Sequence, residues 1–142
     1  MNADFIFLPV LAQVLLTLSV FLRLARAKSK AAAAGQVNEE RRALYDDAWP
    51  DSVIQVNNNI RNQSELPLLF YVLCFILWAL GTTNVLVHAF AWLFVASRVV
   101  HVVIHTGSNY VPLRRRVFAF GFFMVSALLV SALASILLPH VT

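Results

Sequence analysis

Leu66 to Ser97 reads LPLLFYVLCFILWALGTTNVLVHAFAWLFVAS and contains no Asp, Glu, Lys or Arg. A helix needs about 20 apolar residues to cross a bilayer core of about 30 Å. The stretch therefore holds most of two crossings, provided that something turns in its middle. Gly81-Thr82-Thr83-Asn84 supplies the turn, because Gly and Asn tolerate the backbone angles of tight reversals. Reading outward, Phe5 to Leu22, Val99 to Leu113 and Val117 to Thr142 are also free of these charges. The pattern predicts an all-α integral membrane protein, one domain of four spans. The spans fall at about 4–24, 53–80, 85–106 and 112–138, with a linker at about 25–51. Pro112 suits the first turn of its helix, where an N–H would have no partner.

Composition agrees. Of 142 residues, 60% are hydrophobic and 13% are charged, whereas soluble domains carry roughly 25% charged residues. This excludes an ordinary soluble domain and, more firmly, a disordered chain. The net charge of +4 is a topology signal. Arg23, Arg26, Lys28, Lys30, Arg41 and Arg42 flank or fill the first linker, and Arg114, Arg115 and Arg116 follow the turn after span three. The turn between spans two and three has no Lys or Arg. Basic loops face the cytoplasm, so both termini and the Gly81 turn are expected on the opposite side. Asp4 precedes span one and the basic residues follow it, the reverse of a signal peptide. The first span is thus expected to be an uncleaved anchor, and the expected membrane is a bacterial inner membrane. The bases sit beside apolar spans rather than on an exposed basic face, so no nucleic-acid partner is expected.

Cys74 is alone within span two, without a disulfide partner or a CxxC motif. No metal site is expected, since His101 and His105 have no third ligand indicated. The Asn62-Gln63-Ser64 sequon falls on the predicted cytoplasmic side and is discounted. The informative residues are the polar ones inside the spans, which are costly there and mark function by default. Residues three and four apart share a helix face. Asn58, Arg61, Asn62 and Glu65 form one polar stripe on span two, and Arg98, His101 and His105 form another on span three. Both stripes lie toward the basic end and are expected to face each other or a shared cavity. Spans one and four carry almost no such residues, which argues against a transporter with a polar path through the membrane. Burial of the stripes at a subunit interface implies self-association.

At these stripes the sequence resembles a known family. Arg61-Asn62-Gln63-Ser64-Glu65, followed by Pro67-Leu68, is similar to the RNxxE segment of the MAPEG family. These are membrane-associated proteins in eicosanoid and glutathione metabolism, among them microsomal glutathione transferases and prostaglandin E synthase. Arg98-Val99-Val100-His101, His105-Thr106-Gly107 and Pro112-Leu113-Arg114 resemble the family's R-x-x-H-x-x-x-Y-x-G stretch and the Pro-x-Arg of its fourth helix. The resemblance covers nearly the whole chain.

It implies a homotrimer of four-helix subunits with glutathione bound between neighbours near the cytoplasmic face. The activity implied is that of a glutathione-dependent transferase or peroxidase acting on hydrophobic small molecules that arrive from the lipid. Arginines suit the two carboxylates of glutathione and a carboxylate suits its ammonium. The implied binding residues are Arg23, Arg61, Asn62, Glu65, Arg98 and His101. Arg114 matches the family arginine held near the thiol, where a cation favours thiolate. His105 stands where the family often has tyrosine and is the candidate donor or base. Phe118 stands at a second tyrosine position, and Arg115 at a position that is serine in some members. The alternative is a non-catalytic member that binds a lipid or another thiol.

Overall fold

The computed structural model describes residues 2–138. Met1 and residues 139–142 lie outside it, and with them the C-terminus assigned above to the non-cytoplasmic side. The described residues are helical and contain no strand: α1 (Phe7–Ala33), α2 (Asp51–Ser64), α3 (Leu66–Ala79), α4 (Val85–Thr106) and α5 (Val111–Leu137), with short 3₁₀ turns at Ala3–Ile6 and Asp46–Ala48. Four helical units are long and apolar enough to cross a membrane: Ala3–Ala33, Asp51–Ala79, Val85–Thr106 and Val111–Leu137.

The first helix runs on to Ala33, well past Leu24. The alanines at 31–33 favour helix, and the stop comes at Gly35, whose φ is +64°. There Gly35 N–H donates to the Ala32 carbonyl and Gln36 N–H to the Ala31 carbonyl, both at 3.0 Å. This paired closure needs a left-handed residue just past the helix. Gly81, at φ +66°, ends α3 in the same way, with Gly81 N–H bonded to Trp78 O and Thr82 N–H to Leu77 O. Asn84 then caps α4 by accepting from the Val87 N–H at 3.0 Å.

The second span is two helices rather than one. Pro67 has no N–H for the Gln63 carbonyl, and its ring would clash there in a continuous helix. The chain breaks at Glu65 (φ −94°, ψ −90°), leaving Pro67 in the first turn of α3 where it is tolerated.

Trp78 Nε1 donates to Asp4 Oδ1 at 2.9 Å, tying the start of the chain to the end of α3. At the other end Lys28 lies over the Trp49 ring, 4.8 Å from its centroid. The apolar core occupies the half near the Gly81 turn, where Phe70 and Phe94 stack at 4.5 Å among Ile6, Leu77, Val87 and Leu128. Val20, Val56 and Val102 form a smaller cluster toward the basic end. Helices α4 and α5 pack together. Gly121 allows the close approach, since a Cβ there would stand 2.8 Å from Ser97 Oγ. Ser97 cannot turn away freely, because its hydroxyl donates to the Phe94 carbonyl at 2.6 Å. Gly121→Val is expected to cost about 1–3 kcal/mol, the usual range for overpacking. Thermal unfolding in detergent checks this, with Ser97→Ala expected to recover part of the loss.

Candidate functional site

The two polar stripes meet. Arg98 on α4 is wholly buried, and its Nη2 donates to the Asn62 carbonyl at 3.2 Å. That carbonyl belongs to the last turn of α2, just before the break at Glu65, where helix carbonyls lack intrahelical partners. The Asn62 side-chain amide lies 3.5 Å from His105 Nδ1. His101 and His105 stand edge to face at 5.4 Å, and both are buried. Phe118 on α5 completes the wall, 5.7 Å below the Arg98 guanidinium and 6.0 Å from the His101 ring. An open cleft of about 280 Å³ is lined by Asn62, His101, Arg114, Arg115 and Phe118.

Buried polar atoms nearly always have partners. Here Arg98 Nε and Nη1 and His101 Nδ1 have none among the described residues. A buried guanidinium with two unbonded nitrogens carries a desolvation cost that an anion would offset. The cluster is thus suited to an anionic, hydrogen-bonding ligand.

Arg114 is held at the cleft by its own turn. Its Nη1 donates to Asn109 Oδ1, and Asn109 adopts φ +51°, a conformation that Asn tolerates better than most residues. The turn is anchored from α2. Gln55 Nε2 donates to the His105 carbonyl at 2.6 Å and to the Gly107 carbonyl at 3.1 Å. Gln55→Ala is expected to cost about 1–2 kcal/mol of stability, read by thermal unfolding, and to loosen the turn that carries Arg114.

Not every candidate reaches the cleft within one chain. Arg61 is exposed and pairs with Asp46 of the linker, and Asn57 Nδ2 donates to the same carboxylate at 3.3 Å. Arg61 thereby straps the Asp46–Ala48 turn to α2 instead of joining Arg98. Arg23 and Glu65 are exposed.

A second buried polar group was not foreseen. Gln13 Nε2 donates to Gln63 Oε1 at 2.9 Å, and Gln63 Nε2 approaches Asn59 Oδ1 at 3.5 Å. All three residues are buried, with Gln13 Oε1 and Asn59 Nδ2 unpartnered among the described residues. The signal was present: Gln13 is a lone amide within an apolar span, and amides commonly join membrane helices.

No curated protein and no solved structure matches the chain. The MAPEG family model matches residues 6–134, a range that runs from the start of α1 into the last turn of α5 and takes in both polar stripes. The chain belongs to the MAPEG family, as a multi-pass, all-helical membrane protein.

Proposed function

We propose that this protein is a glutathione-dependent transferase or peroxidase acting on hydrophobic electrophiles. Glutathione would sit near the basic end of the bundle, between subunits of a homotrimer, with that end toward the cytoplasm of a bacterial inner membrane. The observation that carries the reading is the buried Arg98, two of whose nitrogens are unpartnered, beside a cleft walled by Asn62, His101 and Arg114. A glutathione carboxylate would pair with Arg98, which lies behind the cleft wall of Asn62 and Phe118 and is reached when that wall opens, and Asn62 and His101 offer hydrogen bonds to the peptide. Arg23 and Glu65, exposed on the single chain, remain available to a ligand shared with a neighbouring subunit, and Arg61 joins them by exchanging Asp46 for the ligand. Arg114 stabilises the thiolate, which attacks the electrophile and displaces its leaving group. His105 is buried behind Asn62 and is cast as a proton donor or base.

A second reading rests on Phe118, which lines the cleft where a tyrosine would place a hydroxyl. It makes the protein a non-catalytic binder of a thiol or lipid. Glutathione titrated by calorimetry into the detergent-purified protein tests both. Saturable binding is expected, weakened roughly 10–100-fold by Glu65→Gln, the scale for losing a hydrogen bond to a charged group. Absence of binding at millimolar glutathione ends the glutathione reading. Binding without turnover of an apolar aryl halide or a lipid hydroperoxide leaves the second.

A further inference from the structure

The face of α5 opposite the cleft carries another concavity. Successive helix residues are rotated by 100°, because a turn holds 3.6 of them. Arg114 and Phe118 therefore point one way, Arg116 and Phe120 point nearly the other way, and Val117 lies between the two sides. On that second side α4 and α5 enclose a hollow of about 350 Å³, lined by Leu93, Ala96, Ser97, Val100, Val117, Phe120 and Arg116. Leu93, Ala96, Val100 and Phe120 are exposed on the bundle. A body of this size lies in the range of small-molecule sites. Its walls are apolar apart from Arg116 at one end and Ser97, whose hydroxyl is turned onto the Phe94 carbonyl.

Arg116 also lines a second, shallow hollow of about 400 Å³ with Pro112, Arg115 and Ala119. Arg116 thus joins an apolar groove running along the membrane to a basic recess in the opening turns of α5. The recess lies at the end of the bundle that also carries the Gln55 anchor and the first linker, the level of lipid headgroups in a four-span protein. Basic recesses beside transmembrane helices recognise anionic headgroups, and guanidinium groups match phosphate geometry.

We infer that Arg116 and the α4–α5 groove form a binding site for an anionic phospholipid, with the phosphate in the Arg115–Arg116 recess and one acyl chain along Leu93, Ala96, Val100 and Phe120. The apolar groove shares no residue with the glutathione cleft, and Arg115 alone lines both the cleft and the basic recess. The charge complementarity selects the occupant: an anionic headgroup offsets the Arg115 and Arg116 guanidiniums at the end of an apolar groove that takes an acyl chain.

The test is native mass spectrometry of the full-length protein, titrated in detergent with dioleoyl phosphatidylglycerol or dioleoyl phosphatidylcholine. Saturable retention of phosphatidylglycerol is expected to exceed that of phosphatidylcholine about fivefold, the scale for one basic side chain at a membrane surface. Arg116→Gln is expected to erase the preference, and Arg42→Gln, an equal charge change in the linker, to preserve it. Ala96→Trp, which fills the groove, is expected to lower retention of both lipids. All three variants are expected to bind glutathione as the parent does. Equal retention of the two lipids by the parent, or a preference that survives Arg116→Gln, overturns the proposal. A changed subunit number in Ala96→Trp also overturns it, by assigning the groove to a neighbouring subunit.

Discussion

Arg98→Met is expected to abolish measurable glutathione binding while leaving the protein as stable as its parent or more so. The two halves of this expectation have one cause. Arg98 is wholly buried and bonds a single carbonyl, that of Asn62, while Nε and Nη1 are unpartnered. A buried charge without an anion is costly, and apolar residues of similar volume in its place are often neutral or stabilising. Methionine is unbranched and of similar volume, without the charge. Losing one partner of a buried charge pair costs a complex about 2–5 kcal/mol, or roughly 30-fold to several thousand-fold in affinity. Calorimetry and thermal unfolding on the same preparation decide the matter. A destabilised variant that still binds glutathione would make Arg98 a structural strut and remove it from the site. The trade expected instead is the familiar one, in which a binding group is kept at the expense of stability.

Arg114→Ala is expected to lower turnover by about 10²–10³, the usual effect of removing one group that stabilises developing or fixed negative charge at the reacting atom. Glutathione affinity should fall only several-fold, since Arg98, Asn62 and His101 remain. The pH profile separates catalysis from folding. A free cysteine thiol ionises near pH 8.5, and a neighbouring cation lowers that value. Removing the cation raises it, so the rising limb of the rate profile should move to higher pH and the loss should shrink in alkaline buffer. Arg114→Lys should restore part of the rate, as a cation without the guanidinium fork. Unchanged turnover in Arg114→Ala would sink the assignment. The bond from Arg114 to Asn109 Oδ1 adds a second lever: freeing the guanidinium by changing Asn109 should act in the same direction, more weakly.

The crossing segments were legible in the sequence. The third span falls at 85–106 in both descriptions and the fourth differs by one residue, because hydropathy and charge act along a single helix. The Gly81 reversal was legible for a similar reason: only a residue free to take positive φ closes α3 as it does. The break at Glu65 was signalled by Pro67 but depended on the local backbone. The meeting of Asn62 with Arg98 and His105 followed from two polar stripes at helical spacing, each costly to leave in lipid.

What the chain by itself determined is therefore the number of spans, the concentration of polar residues toward the basic end and the family pattern. The tertiary structure alone decided which faces turn inward. On α1, Leu8, Leu11, Leu15 and Leu18 are exposed while Val10, Gln13 and Val20 are buried, yet leucine and valine are equally at home in lipid and in a core. In water, hydrophobicity marks the inner face of a helix. In a membrane both faces are apolar, and the choice falls to packing and to scattered polar partners. The same limit hid the path of Arg61, since its spacing allowed Glu65 or a ligand, and the fold supplied Asp46 instead.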